Sequence, residues 1–391
     1  MNITSLEQIQ PHLHHAKMNG HEFSISRVET KLLVETYGPT RVVQTVFDAV
    51  RSTNTSIIMP PVHGPHVDRL VRQACNATAR MATPNQTFTF RGGPGNVQGT
   101  LLQVIPTSTQ LSNVLSGDKR YAIRISTHGP TPLELWNNDA FLRKTIRDLC
   151  IHPSRQKEAL SLGRIRVSCL GQKGARYATG FPIPVAICVY KEEARRRPNG
   201  VLSCVIDPCA GWSDRLAAAM VSGVVEHYVG MDPWHVSHAI CQRTQQVIQP
   251  AVQALNVQTR VQLIQESALT APWPEQADLV FTSPPFGDLE CYNLDGPADD
   301  QQAWRVGNEH FADEFLVPLM AQAAASTRQK RGRVIISMGN AKKRGLRNLT
   351  DGLIAAAQAA GLVWVTTYGM EGRARDGATR CDPIFVFAHD D

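Results

Sequence analysis

Residues Asp278 to Tyr292 read D-L-V-F-T-S-P-P-F-G-D-L-E-C-Y, and the rest of the chain is arranged around them. Asp278-Leu279-Val280-Phe281-Thr282 is apolar between a polar start and a β-branched end, the pattern of a short buried strand. The strand has to stop at Pro284 and Pro285, which have no backbone N–H to offer a ladder. Ser283-Pro284-Pro285-Phe286 is then a rigid tetrapeptide. Its prolines fix φ, so the Pro284 carbonyl points in one direction. Ser283 adds a hydroxyl acceptor beside that carbonyl, and Phe286 adds a flat apolar face. Two acceptors and a ring suit a planar heterocycle that carries an amino group.

On either side of this stretch the pattern alternates. Upstream, Val201–Ile206 reads as a buried strand and Tyr228–Asp232 and Val261–Glu266 as strands ending in an acid, with helices expected over Leu216–Val221 and His235–Leu255. Downstream, helices are expected over His310–Ala325 and Leu349–Ala360, with a strand over Arg333–Met338 between them. Leu362–Tyr368 and Pro383–Phe387 close the chain as strands with no helical pattern between them. Alternating strands and helices make a parallel sheet with crossovers on both faces, and the final pair has to be an antiparallel hairpin. Before this core lie residues 1–150, an expected accessory α+β domain, with residues 151–391 as the catalytic domain. In the first part Arg41–Val50 and Val67–Met81 have helical amphipathicity, and Thr87–Arg91 and Leu101–Ile105 have strand character. Phe141–Cys150 reads as a helix and Gly163–Val167 as a strand.

Composition narrows the class. With 391 residues, 42% of them hydrophobic and 19% charged, the chain has the balance of a soluble globular protein with room for two cores. No apolar run approaches the roughly 20 residues of a membrane span, and Met1–Gly20 lacks a secretory pattern. Nine cysteines occur without a C-x-x-C pair, which predicts free thiols in a reducing compartment, cytoplasm or nucleus, and no zinc site. His12, His14 and His15 lack helical metal-ligand spacing, so no metal is expected. A net charge of +6 favours an anionic partner. Lys330, Arg331 and Arg333 flank the fifth strand, Lys342, Lys343, Arg344 and Arg347 follow it, and Arg373, Arg375 and Arg380 lie in the last hairpin. All three groups are candidates for phosphate contacts that hold a nucleic-acid strand over the pocket.

Ligands of such sheets bind at the carboxyl ends of the strands. Here those ends carry Asp207, Asp232 and Glu266, in strand order, and then the tetrapeptide. Asp207 leads into Pro208-Cys209-Ala210-Gly211-Trp212-Ser213, which has no G-x-G-x-x-G, so a dinucleotide is not expected. Carboxylates after the first two strands suit an amine and a ribose diol. An ammonium, a ribose and an adenine without phosphate describe S-adenosylmethionine.

With these residues in view, Phe181–Phe387 resembles the class I methyltransferases that act on exocyclic amines of nucleic-acid bases. Asp207-Pro208-Cys209-Ala210-Gly211 resembles their D-P-F-x-G cofactor loop, and Ser283-Pro284-Pro285-Phe286 resembles their [D/N/S]-P-P-[Y/F/W] catalytic motif. Phe181-Pro182 matches the segment beside the methionine part of the cofactor. Asp232 matches the ribose-holding acid, and Glu266-Ser267 the pair near the adenine. Thr282 is counted with the cofactor contacts. The resemblance implies a Rossmann-like seven-stranded sheet of order 3-2-1-4-5-7-6 and methyl transfer to adenine N6 or cytosine N4. DNA is slightly preferred over RNA or a cap adenosine as substrate. Ser213 departs from the family by replacing the second glycine of the cofactor loop, which keeps a non-catalytic nucleic-acid-binding relative open as an alternative. Cys209 tempts a cytosine-C5 reading, but that nucleophile belongs after the fourth strand, where this chain has Pro-Pro-Phe. Trp212 could stack on a base or cofactor, but filling a gap beside the sheet is the commoner role of such a ring, and Asp214 and Arg215 are expected to pair locally or cap a helix.

Overall fold

The structure is a computed structural model of the chain. It describes residues 3–18, 24–52, 64–77, 82–89, 96–103, 109–123, 129–152, 159–170, 178–253, 258–289, 291–292, 296, 302–329, 331–340, 348–373 and 379–390. The candidate phosphate contacts Lys342, Lys343, Arg344 and Arg347 lie outside the described residues.

The elements run α1 (Ile9–Met18), β1 (Ser24–Ile25), α2 (Arg27–Tyr37), α3 (Pro39–Ser52), α4 (Gly64–Ala77), β2 (Ala82–Thr89), β3 (Asn96–Leu102) and α5 (Thr109–Ser116). Next come α6 (Lys119–Ala122), α7 (Pro132–Asn137), α8 (Asp139–Ile151), β4 (Leu160–Ser161), α9 (Leu162–Leu170) and α10 (Ile183–Ala194). The remainder is β5 (Val205–Asp207), α11 (Asp214–Ser222), β6 (His227–Met231), α12 (His235–Gln253), β7 (Arg260–Ile264), β8 (Leu279–Thr282), α13 (Val317–Ser326), β9 (Arg333–Ser337), α14 (Leu349–Ala359), β10 (Leu362–Arg373) and β11 (Thr379–His389).

They divide into two compact units, Met1–His66 with Gly117–Ala178, and Val67–Ser116 with Thr179–Asp391. The first is helical around a core that includes Ile9, Val46, Trp136, Ile146 and Ile165. Its helices start on local signals. Ser26 accepts from Glu29 N while the Glu29 carboxylate accepts from Ser26 N, a reciprocal cap on α2. Asn138 caps α8 through Phe141 N at 2.9 Å. The strand expected over Gly163–Val167 is the helix α9 instead. Leu162, Ile165 and Cys169 are all buried, a helical spacing that overrides the local I-R-V alternation.

The second unit is built on a nine-stranded sheet of order β2-β3-β10-β11-β9-β8-β5-β6-β7. Its last seven strands, numbered along the chain from β5, give 3-2-1-4-5-7-6, the order expected from sequence. Strands β7, β6, β5, β8 and β9 are parallel, and β11 runs antiparallel between β9 and β10. The chain therefore winds outward from β5 through β6 to β7, then returns to start a second winding at β8. Right-handed crossovers in opposite directions put α11 and α12 on one face and α13 and α14 on the other. The switch between β5 and β8 opens a crevice at their carboxyl ends.

The single boundary expected at residue 150 differs from this division. Val67–Ser116 belongs with the sheet, and residues 151–178 do not. The cause is strand pairing: β3 extends the sheet by pairing in parallel with β10 through Tyr368↔Thr100, Gly369↔Leu101 and Met370↔Leu102, and β2 pairs antiparallel with β3. Glycine permits this approach. A Cβ on Gly99 would lie 2.1 Å from the Thr367 carbonyl oxygen, and one on Gly369 would lie 2.6 Å from the Phe88 ring. Gly99→Ala should therefore push β3 off β10 and destabilise this unit by about 1–3 kcal/mol, the usual cost of overpacking. Urea unfolding followed by circular dichroism checks this, and an unchanged midpoint would argue against the pairing.

Candidate active site

A cavity of about 330 Å³ opens at the carboxyl ends of the parallel strands. It is within the size range of small-molecule sites. Its centre is the tetrapeptide, because β8 is the middle strand of the seven: Ser283, Pro285 and Phe286 line it. Pro284 is buried and does not. On the β5–β7 side lie the loop Pro208-Cys209-Ala210-Gly211, then Asp232 and Ser267, and the segment Phe181-Pro182 just before α10. On the other side lie Asn340 after β9, Met370 on β10, and Asp382 and Pro383 on β11.

Three residues expected to touch a cofactor do not line the cavity. Asp207 is fully buried, and its carboxylate is already engaged. Arg215 donates to it from Nε at 2.9 Å and from Nη2 at 3.1 Å. Tyr228 donates its hydroxyl at 2.7 Å and Thr282 its hydroxyl at 2.8 Å. Thr282 is itself fully buried. Glu266 is exposed and outside the lining, while its neighbour Ser267 lines the wall. Of the two residues expected to pair locally or cap a helix, Asp214 opens α11 and Arg215 pairs with Asp207, eight residues earlier. Arg215 also donates to the Cys209 carbonyl and lies 5.6 Å from the Phe181 ring centroid. It therefore fixes both the loop and the segment that form this wall.

Asp232 is the carboxylate that does face the cavity. Oδ2 accepts from Gly211 N at 3.0 Å and Oδ1 from Trp234 N at 3.0 Å. Burial pushes its pKa up to about 6, against the lowering effect of those bonds and of Ser237. Ser237 also donates to the Gly211 carbonyl at 2.5 Å, so the loop is held to β6 from both sides. Burial, with the charges of Asp207 and Asp232, raises the Cys209 thiol well above its ordinary range. A thiol held neutral is no nucleophile, in keeping with a packing role for Cys209.

Of the aromatic wall, sequence reasoning singled out Trp212 and missed Trp234 and Tyr292. Trp212, Trp234 and Tyr292 line the cavity together. Trp234 and Tyr292 are near parallel with centroids 5.7 Å apart, and Trp212 meets both edge-on at 5.8 and 5.7 Å. Trp234 follows Asp232 by two residues and Tyr292 ends the stretch that opened the reading, so position near a strand end was the available signal. Asn340 had the same signal. Asp382 did not: it starts an antiparallel strand, whose beginning shares the edge where parallel strands end. The opposite error concerns Arg333. It leads β9, at the sheet edge away from the cavity, and its Nε lies 3.6 Å from Glu193 Oε2. It is therefore placed away from any strand held over the pocket. Among the described residues no group of side chains is arranged to hold a metal ion, and no helix is long and apolar enough to cross a membrane.

No protein-family model matches the chain, and no curated protein matches it by sequence. Solved structures similar to it are methyltransferases. An S-adenosylmethionine-dependent O-methyltransferase from Thermotoga maritima shares 9% identity over 57% of this chain and 71% of its own, with a TM-score of 0.34. An S-adenosylmethionine-dependent methyltransferase from Agrobacterium tumefaciens shares 11% over 56% and 65%, with a TM-score of 0.34. The N-methyltransferase NodS from Bradyrhizobium japonicum, solved with S-adenosylhomocysteine, shares 12% over 54% and 89%, with a TM-score of 0.32. At these identities and TM-scores the likeness adds nothing to what the strand order establishes by itself.

Ser213 explains how the loop tolerates the missing glycine. It adopts φ +68°, the left-handed region that glycine occupies freely. Its side chain is fully buried and shares a 2.6 Å hydrogen bond with Thr244 on α12. Ser213→Gly should relieve about 1 kcal/mol of backbone strain and lose about as much hydrogen bonding, leaving stability nearly unchanged. Ser213→Ala should keep the strain and lose the bond, costing about 1–2 kcal/mol. Equal urea midpoints for the alanine variant and the wild type would show that the Thr244 bond contributes nothing.

Proposed function

We propose that this protein transfers a methyl group from S-adenosylmethionine to an exocyclic amino group of a nucleic-acid base, adenine N6 or cytosine N4, with a slight preference for DNA. What supports this reading is one juxtaposition. Ser283-Pro284-Pro285-Phe286 leaves the central strand of the sheet, and Asp232 faces the same cavity two strands away.

The cofactor half has the right chemistry for this ligand. Its lining holds the carboxylates of Asp214 and Asp232, and its guanidinium, Arg215, is already neutralised by Asp207. Such a surface suits an ammonium and a sulfonium and repels a pyrophosphate. Asp232 would accept from the ribose hydroxyls, Phe181 and Pro182 would border the methionine part, and Ser267 the adenine. When bound, S-adenosylmethionine supplies an electrophilic methyl group on positively charged sulfur. The chain's own task is to hold an amine. Ser283 Oγ, on the cavity wall, would accept one of its N–H hydrogens, which favours a pyramidal nitrogen with its lone pair directed out of the ring plane, and Pro284, buried behind the wall, would keep the tetrapeptide rigid. Phe286 would stack on the base, which in a duplex is first flipped out. Ser283 serves as acceptor and forms no covalent intermediate. The proton that the amine gives up passes to solvent. Lys342, Lys343, Arg344 and Arg347 begin two residues beyond Asn340 in sequence and are assigned to phosphates. The helical unit carries none of the described lining residues and is assigned to substrate recognition.

Ser283→Ala should lower kcat more than it raises KM, because its bond strengthens as the nitrogen pyramidalises. Incubation with labelled cofactor and DNA, RNA or capped RNA, followed by mass spectrometry of the digested product, identifies the base. Recovery of 5-methylcytosine or a 2′-O-methyl ribose would falsify the assignment of the tetrapeptide.

Asp232 makes cofactor affinity depend on pH. The ionised carboxylate is the form that accepts from the ribose, and burial holds its pKa at about 6, above the ordinary range of an aspartate. Affinity should be level above pH 7 and fall as pH drops through 6, by up to about tenfold per unit. Stability should run the other way. The folded state binds this proton more tightly than the unfolded state, so Asp232 favours folding as pH falls from 6 towards 4. Calorimetric titration with S-adenosylhomocysteine at several pH values, with Asp232→Asn as the comparison, measures the first effect; a slope that persists in that variant assigns it elsewhere.

A further inference from the structure

The ladder between β5 and β8 ends early. Its register pairs Val205 with Leu279 and Ile206 with Val280, and goes no further. On its other side β8 continues to pair with β9 through Thr282↔Ile336. The carboxyl ends of β5 and β8 therefore part at the switch point, which is what opens the cavity. A side-chain bond spans the parting strands: Thr282 Oγ1 donates to Asp207 Oδ1 at 2.8 Å. Thr282 is the residue directly before Ser283. Asp207 cannot follow a drifting Thr282, because Arg215 and Tyr228 hold the same carboxylate.

We propose that Thr282 is a positioning residue, whose hydroxyl, anchored on Asp207, sets the distance between the catalytic tetrapeptide and the cofactor wall. This rests on the reading of the tetrapeptide given above and deepens it. The wall and the tetrapeptide hang from one anchor. Arg215 carries the Cys209 carbonyl, Tyr190 donates to the Arg215 carbonyl at 3.1 Å, and Thr282 carries the tetrapeptide. Methyl transfer needs both reactants in line, so freeing one of them by a fraction of an ångström lowers the rate without loosening either ligand. Thr282 touches neither ligand, since it is fully buried and lies outside the cavity lining.

Thr282→Val keeps the shape and the β-branch and removes the donor. Thr282→Ser keeps the donor, and Thr282→Ala serves as a second, smaller variant in case valine perturbs folding. Each is compared with the wild type for kcat and KM on the nucleic acid that the wild type methylates, and for S-adenosylhomocysteine affinity by calorimetry. The expected result is a kcat about tenfold lower in the valine variant, with KM and inhibitor affinity within about twofold of wild type, and recovery of most of the rate in the serine variant. A folded valine or alanine variant with unchanged kcat overturns the proposal and leaves the bond a purely structural one. Loss of inhibitor affinity in step with kcat overturns it in favour of a direct cofactor contact. A wild-type protein that methylates no nucleic acid overturns the acceptor reading instead, and this inference with it.

Discussion

The Asp207–Arg215 pair, sealed from solvent, is the interaction on which the site depends. A buried carboxylate and guanidinium persist only when each is satisfied, and these two are. The carboxylate takes donors from α11, β6 and β8. The guanidinium then passes the constraint to the Cys209 carbonyl and the face of Phe181. Burial works against the Arg215 charge, but Asp207 more than offsets it and raises the guanidinium pKa. Removing either partner would strand the other charge, at a cost on the order of 3–5 kcal/mol. The pair therefore acts as a joint between the Cys209 loop and the tetrapeptide, with Asp207 behind the cavity wall and Arg215 in it.

The second joint is backbone to carboxylate. Asp232 holds Gly211 through its N–H, while Ser237 holds the Gly211 carbonyl. Gly211 sits at φ +53°, where the loop turns across the end of β6. Behind it, Gly230 brings β6 close: a Cβ there would lie 3.3 Å from Ala210 and 2.9 Å from Tyr228. The loop is thus pinned at a glycine, at an ion pair and at Ser213, whose hydroxyl is buried against Thr244. Three fixed points over seven residues leave little freedom to the wall facing the tetrapeptide, which suits chemistry that depends on placement.

The cavity's sides differ in kind. The β5–β7 side has the paired ions, the pinned loop and the aromatic wall. The β9–β11 side is built from the ends of β9 and of the closing hairpin, with Asn340 anchored through Oδ1 to Thr350 N at 2.9 Å. The antiparallel β11 brings Asp382 to the same rim. The β2–β3 hairpin then extends this edge beyond the seven strands. Chain segments far apart in sequence therefore meet in one sheet, and β3 is held to β10 by strand pairing that no motif announces.

How much of this was legible depended on the range of the forces involved. The alternation of apolar strands with helices, the proline stop after Thr282 and the acids at strand ends are local patterns, and they gave a parallel sheet, a closing hairpin and the place of the cavity; the strand order came from the resemblance. Local capping signals likewise set where helices such as α2 and α8 begin. Three things were beyond sequence. Gly163–Val167 has strand-like alternation, and only packing of Ile165 and Cys169 into the helical core makes it α9. Asp207 and Asp232 look alike as acids ending neighbouring strands, yet one is consumed by Arg215 and the other faces the cavity. Val67–Ser116 reads as part of an N-terminal domain, yet its strands complete the nine-stranded sheet. The sequence by itself determined the strands of the seven-stranded core and which chemistry they carry to their ends, because periodicity and proline act over a few residues. The tertiary structure decided which carboxylate is spent inside and which is offered outside, because that choice depends on a guanidinium and two hydroxyls brought together from other elements.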